Sequence, residues 1–357
     1  MRIKQSGLIL SLSKDEATES THCWQAGGMD GMDEEALALW IAAPGMAEIR
    51  PARALAPRPG SIRVRALVSG ISRGTESLVF RGLVPKSEWK RMRCPFQEGE
   101  FSFPVKYGYA IVGVIEEGSD SRVGQRVFCL HPHQTRFTVP AQAAFALPEG
   151  LPTERAVLAP QMETALNACW DGAPRPGDRI AVVGAGVIGC LVAHLAARLP
   201  GTSVTLIDRE PSRAAIAAAL GAAFALPDGE LPQNCDLVFH ASGEAEGLDL
   251  ALSLAGFETT VIELSWYGSK AVPAHLGGAF HSQRLTLRSS QVGSVAPDRR
   301  QRWDPPRRME LAISLLADAR LDALISGETP FEELPAALPQ ILGQPGPLCH
   351  LVRYSSH

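Results

Sequence analysis

The chain has 357 residues, longer than one ordinary core of about 100 to 200 residues holds, so two domains are expected. Its 45% hydrophobic and 20% charged residues exclude a disordered or fibrous protein, and a formal net charge of −4 gives nucleic acid no electrostatic foothold. Seven cysteines with no gap shorter than twenty residues fit neither a disulfide framework nor a zinc knuckle, so reduced thiols and a cytoplasmic setting are expected.

Residues 1 to about 35 are polar and Gly-rich, without apolar periodicity, and are expected to be a disordered leader; a start codon placed too early is the other reading, with Met29 or Met32 as the true start. The apolar stretch 8–12 is too short for a signal sequence and charged residues follow at once. From 36 to 160 the sequence reads as short strands punctuated by Gly and Pro, over 36–43, 61–68, 110–116, 125–130 and 135–139. A helical segment carrying residues 164–170 comes next, and a Pro- and Gly-rich turn at 174–177 follows it.

Beyond that turn the character changes. Strands over 179–183, 202–207, 237–240 and 259–264 alternate with helices over 187–198, 212–220 and 248–254, the pattern of a doubly wound parallel sheet. A helix over 308–316 and a strand over 348–354 close the chain. No apolar run is long and uninterrupted enough for a membrane span. The expected organisation is a leader at 1–35, a β-rich domain at 36–160 completed by 301–357, and a Rossmann domain at 161–300.

The run GAGVIG at 184–189 follows an apolar strand, opens an apolar helix, and has Asp208 nineteen positions after Gly189. Together these make a dinucleotide fingerprint. Gly184 permits the tight turn, Gly186 lets backbone N–H groups of the Val187 and Ile188 turn approach a pyrophosphate, and Gly189 lets helix pack on strand. Asp208 is placed to accept from both adenosine ribose hydroxyls and to repel a 2′-phosphate, which favours NAD over NADP. Arg209 and Arg213 oppose that preference. Ser242 and Gly243 follow the fourth strand, at the edge where such sheets bind ligands, and Thr164 completes the cofactor set.

SGISRGTE at 69–76, the run FPVKYGYAIVGVIEEG at 103–118, GQRVF at 124–128, LAPQMETALNA at 158–168 and GAGVIG together resemble the medium-chain dehydrogenase/reductase superfamily, over roughly residues 36–354. Within it, the first two runs look most like the branch containing bacteriochlorophyllide hydroxyethyl dehydrogenase. The resemblance implies an α/β protein with a GroES-like β-rich catalytic domain and a Rossmann domain, acting on a small-molecule substrate, commonly as a homodimer or other symmetric oligomer.

Zinc-using members of that superfamily carry a Cys in the first motif, a His in the second and a Cys or Asp before the Rossmann domain. Here the matching residues are Ser72 or Arg73, then Gly108, Tyr109 and Ala110, then Pro160 or Gln161, none a credible zinc ligand, and only Cys94 lies where a structural zinc lobe needs four thiolates. No metal is therefore expected. The residues the resemblance brings toward the substrate are Thr75, Glu76, Lys106, Tyr107, Tyr109 and Glu163, with Thr75, Tyr109, Lys106 and Glu163 as the catalytic candidates. Tyr109 would donate to the substrate oxygen, and Lys106 would depress its pKa if the two side chains converge. Arg73 is read as an anion site or an ion-pair partner of Glu76 or Glu163. His131 and His133 are two histidines without further ligands. The expected reaction is zinc-independent hydride transfer between NAD(H) and a secondary alcohol or ketone; reduction of an enone or quinone, and dinucleotide binding without turnover, are the alternatives.

Overall fold

The computed structural model describes residues 33–118, 121–343 and 346–355. The expected leader lies outside these residues up to position 32, and the first strand begins at Glu34, ahead of the expected boundary at 36. The described chain divides into two compact units, one of 33–160, 305–317 and 325–355, the other of 161–304 and 318–324.

The first unit holds two sheets. In the smaller, β1 (Glu34–Ala43) pairs antiparallel with β2 (Met46–Ala54), and the short β4 (Glu98–Gly99) and β5 (Val105–Lys106) extend it in the order β2-β1-β5-β4. The larger is centred on β3 (Ser61–Ile71), whose side chains are nearly all buried, as expected for a strand covered on both faces. One neighbour of β3 is β6 (Ile111–Gly118), followed by β7 (Arg126–Cys129) and β9 (Ala144–Ala146), while β8 (Arg136–Pro140) pairs with the first half of β3. The chain returns from the second unit to supply β16 (Ile325–Pro330) and β17 (Cys349–Arg353) on the other side, with Val352 opposite Ser69.

The second unit is a six-stranded parallel sheet. Its strands are β10 (Arg179–Val183), β11 (Ser203–Ile207), β12 (Ala223–Ala225), β13 (Cys235–His240), β14 (Ala255–Glu263) and β15 (Thr286–Ser289), in the order β12-β11-β10-β13-β14-β15. The direction of winding reverses between β10 and β13, which is where such sheets open a crevice at the strands' C-terminal ends. The helices Val187–Ala196, Arg213–Leu220 and Ala245–Leu254 connect these strands. Ala181, Val183, Val238, Leu248, Leu252, Leu254 and Val261 form part of one buried cluster under them.

Residues 318–324 join the second unit, although the sequence assigned everything after 300 to the first. The reason is local: Asp318 forms an ion pair with Arg198, just beyond the first connecting helix, and the helical turn Ala319–Leu324 follows directly. Tyr107 and Tyr109 lie outside the regular strands. β5 ends at Lys106 and β6 begins at Ile111, so both tyrosines lie in the link, where Gly108 has φ +128° and turns the chain.

Candidate functional site

In the second unit the fingerprint residues come together at the C-terminal end of β10. Gly184 has φ +106°, and a Cβ there would sit 2.6 Å from the backbone N of Ser242. A Cβ on Gly189 would lie 1.8 Å from the carbonyl O of Gly184, so the helix approaches the turn as closely as only glycine permits. Gly186, by contrast, has no atom within 4 Å of where its Cβ would be. It precedes the helix Val187–Ala196, whose first N–H groups, on Val187 and Ile188, have no intrahelical acceptor. The combination is a cradle open on the side from which an anion would meet the positive end of a helix.

Asp208 follows β11. Its Oδ2 accepts a hydrogen bond from the backbone N–H of Ala185 at 2.6 Å and its Oδ1 accepts from Glu210 N–H at 2.9 Å, so the carboxylate is fixed beside the glycine turn. Arg209 is exposed, whereas Arg213 is buried in the next helix, close enough to Cys190 to act on its thiol. Ser242 and Gly243 stand at the end of β13, against Gly184. Thr164 is half-buried and Glu163 fully buried in the helix Ala159–Gly172; both belong to the second unit.

In the first unit the SGISRGTE run is the end of β3 followed by the helix Arg73–Phe80. Tyr109 donates a hydrogen bond from its hydroxyl to Ser72 Oγ at 2.5 Å, and Thr75 also bonds the phenol. Burial raises the Tyr109 pKa well above its ordinary value, against the lowering effect of Ser72 and Thr75, while Glu76 and Cys94 raise it further. The phenol is therefore a proton donor held neutral. Lys106 does not converge on it: its ammonium is buried against Gln134 Oε1 at 2.7 Å and the Glu98 carboxylate. The expected lowering of Tyr109 by Lys106 is thus replaced by a raising due to burial.

Behind Ser72 lies a buried chain that the sequence reading missed. Glu76 Oε1 accepts from Ser72 N–H at 2.8 Å, and its Oε2 is 3.1 Å from His133 Nε2. His133 Nδ1 is 2.7 Å from Ser69 Oγ, which is 2.9 Å from the Tyr354 hydroxyl. One proton arrangement satisfies every member: His133 donates to the carboxylate and accepts from Ser69, which accepts from Tyr354. His131 takes no part. It stacks on Phe137 with ring centroids 3.9 Å apart, and burial lowers its pKa well below the ordinary imidazole value. The Arg73 guanidinium donates to the carbonyl oxygens of Ile341 and Pro347, at 3.0 and 2.5 Å.

Among the described residues no group of three or more His, Cys, Asp or Glu side chains stands together to hold a metal ion. The chemistry of the donors agrees. Ser72 and Tyr109, two of the residues the resemblance sets against zinc ligands, are joined by a hydrogen bond, and a phenol kept neutral by burial is a poor zinc donor. Cys94 is buried and its thiol is pushed up to about 12, away from the thiolate a metal needs. The residues do not fit zinc, whereas the Gly186 cradle and Asp208 fit a dinucleotide.

A unit with a doubly wound parallel sheet and this fingerprint, and a β-rich unit completed by the C-terminal strand, are the two parts expected of a two-domain dehydrogenase. No protein-family model matches the chain. It is 27% identical to D-guloside 3-dehydrogenase of Escherichia coli K12 over 317 residues, covering 79% of this chain and 89% of that protein. It is 25% identical to sorbitol dehydrogenase of Arabidopsis thaliana over 274 residues, covering 64% of this chain and 70% of the other. Among solved structures, a short chain alcohol dehydrogenase (RspB) from Escherichia coli CFT073, complexed with NADH, superposes with a TM-score of 0.71 at 20% identity, over 90% of this chain and 99% of that one. The chain belongs to the zinc-type medium-chain dehydrogenase/reductase, or alcohol-dehydrogenase-like, superfamily, and it is an oxidoreductase.

Proposed function

We propose that this protein transfers hydride between NAD(H) and a secondary alcohol or its ketone without zinc. The observation that supports the zinc-independent part is the hydrogen bond from Tyr109 to Ser72, which engages two of the residues the resemblance sets against zinc ligands. The dinucleotide supplies the hydride acceptor or donor. Gly186 and the helix beginning at Val187 hold its pyrophosphate, and Asp208 receives the adenosine ribose hydroxyls, which favours NAD over NADP.

In the direction of ketone reduction, the Tyr109 hydroxyl turns its one proton from Ser72 Oγ to the substrate oxygen, and Ser72 turns its own proton toward the phenol. As the carbonyl carbon gains hydride, the oxygen takes the phenolic proton and the bond from Tyr109 to that proton breaks. Ser72 and Thr75 then donate to the phenolate. A phenol whose pKa burial has raised toward that of an alcohol gives up its proton late, when the oxygen has become alkoxide-like. Lys106 and Glu163, expected to act here, are assigned no step: Lys106 is committed to Glu98 and Gln134, and Glu163 is buried in the second unit.

The guloside and sorbitol specificities of the relatives direct the substrate search to polyols and to sugars with a secondary hydroxyl or keto group. The test is NADH oxidation across such a panel, run on protein whose metal content has been measured. Turnover at full rate with less than a tenth of an equivalent of zinc, unaffected by a chelator, is the expected result; activity that tracks zinc near one equivalent overturns the proposal. A neutral phenol would equally serve the enolate formed in reducing an enone or quinone, so those substrates belong on the panel. NADH binding without turnover on any of them would leave a non-catalytic dinucleotide-binding protein. A symmetric homo-oligomer is part of the same reading, and light scattering of the purified protein tests it.

A further inference from the structure

The second unit buries a titratable cluster that the proposed chemistry does not use. His240, the last residue of β13, is fully buried. Its Nδ1 is 2.7 Å from Oε2 of Glu263, the last residue of β14, and its Nε2 is 2.6 Å from Ser242 Oγ. Glu263 also accepts from the backbone N–H of Ser265 at 2.7 Å and from the Tyr267 hydroxyl at 3.1 Å. Ser265 Oγ accepts from Gly243 N–H at 3.1 Å, and Ser242 Oγ accepts from Glu244 N–H at 3.2 Å. Every member is satisfied when His240 donates to the carboxylate and accepts the Ser242 proton. Burial works against ionisation of Glu263, but the hydrogen bonds from His240 and the Ser265 amide outweigh it and hold the carboxyl below its ordinary range.

The bonds tie together two segments that diverge in sequence, the turn 241–244 after β13 and the loop 264–267 after β14. They do so on one side of the reversal in strand order. Asp208 follows β11, the Gly186 cradle follows β10, and His240 and Glu263 end the two strands beyond β10 in the opposite direction. The Ser242 backbone also rests on Gly184, so the cluster is built onto the fingerprint turn. A dinucleotide with its adenosine ribose at Asp208 and its pyrophosphate at Gly186 has its other nucleotide over β13 and β14.

We propose that His240 and Glu263 are positioning residues for the nicotinamide nucleotide, locking the 241–244 turn and the 264–267 loop into one rigid floor for that half of the dinucleotide and leaving the adenosine half untouched. They act through Ser242, Gly243 and Ser265, since His240 itself is buried beneath the surface a ligand would touch. Without them, the two segments must be ordered when the dinucleotide binds, and affinity falls by that cost.

This inference rests on the NAD reading, and the experiment separates the two. Binding of NADH and of AMP, which contains only the adenosine half, is measured by calorimetry on the wild type and on His240→Ala, Glu263→Ala and Glu263→Gln. Expected is a loss of about tenfold or more in NADH affinity for both alanine variants, on the scale of ordering a few extra side chains, with AMP affinity changed by less than about twofold. Glu263→Gln keeps an acceptor oxygen for Ser265 N–H and can donate its amide to His240 Nδ1 with the imidazole in its other tautomer, so it should recover part of the loss. Equal weakening of AMP and NADH, or no weakening of either, overturns the proposal. If an alanine variant does not fold, His240→Asn, which can reach only one of the two partners, must show the same selective loss of NADH. A wild type that binds neither ligand overturns the NAD reading itself.

Discussion

Adding a single methyl group at Gly186 or at Gly189 separates the two uses of glycine in the fingerprint. At Gly189 the added Cβ would stand 1.8 Å from the Gly184 carbonyl oxygen, a backbone atom that cannot rotate away. Helix and turn must separate, and overpacking of this severity costs about 3 kcal/mol or more. For a unit of this size that lowers the melting temperature by roughly 6 to 12 °C. At Gly186 nothing lies within 4 Å and φ is −71°, which alanine adopts freely. The lost preference for Gly at the helix cap and the gain from a less flexible unfolded chain are each under about 1 kcal/mol and opposed, so Gly186→Ala should melt within about 3 °C of the wild type. Its methyl group fills the space through which an anion reaches the helix N–H groups. Losing one charge-assisted hydrogen bond of about 1.5 to 3 kcal/mol weakens NADH binding by roughly 10- to 150-fold. Fluorescence titration with NADH, alongside thermal melts, reads both quantities. A Gly186→Ala protein that binds NADH as the wild type does would refute the placing of the pyrophosphate at this turn.

Asp208→Asn keeps the shape of the carboxylate but removes its charge, so the ratio of NADPH to NADH affinity should rise about tenfold or more in parallel titrations; an unchanged ratio would mean that Asp208 does not select the cofactor. Tyr109→Phe should lower kcat by about a hundredfold or more while NADH affinity stays within twofold, as read by steady-state kinetics and titration, and retained kcat would remove Tyr109 from the chemistry. Burial, with the Arg198 guanidinium beside it, pulls His194 down to about 4, so it is neutral in the folded protein at a pH where the unfolded chain takes up its proton. Stability therefore falls as pH drops from about 6.5 toward 4, and His194→Gln should flatten that part of a melting-temperature profile; an unaltered slope would assign it to other groups.

The sequence announced those parts of the protein whose chemistry is local. The fingerprint is legible because its glycines, the strand before and the helix after are consecutive, and Asp208 is the end of the next strand. The connecting helices and central strands of the second unit showed in the alternation of apolar runs. The edge strands β12 and β15 and the short β4 and β5 did not, because two to four residues carry no periodicity. The helix Arg73–Phe80 was hidden by Gly74 and by a Ser-rich approach that reads as turn. The network behind Tyr109 was out of reach for another reason: Ser69, Glu76, His133 and Tyr354 are assembled by β3, its following helix, the segment before β8 and the residue after β17. His240 and Glu263 gave a fainter signal that was missed. They end neighbouring parallel strands in matched register, so a titratable residue closing each strand was visible as a pair once the strands were placed side by side.

The polar groups of the first unit support the proposed zinc-independent reading. Glu76 is a buried carboxylate whose two oxygens are committed to Ser72 N–H and to His133 Nε2. His133 has given its other nitrogen to Ser69, so neither ring nitrogen has a lone pair to offer without breaking a buried bond. Recruiting either group to a metal would strand the partner it leaves, and a buried polar group without a partner costs about 1 to 3 kcal/mol. Tyr109 closes the arrangement by donating into Ser72 from above the helix that carries Thr75 and Glu76. On the proposed reading, what a metal would do for a substrate oxygen by its charge this arrangement would do with a proton, from a phenol bonded to two hydroxyls and kept neutral by burial. The expected preference is for carbonyl reduction, since the resting phenol carries the proton that reduction consumes and that oxidation would have to remove elsewhere.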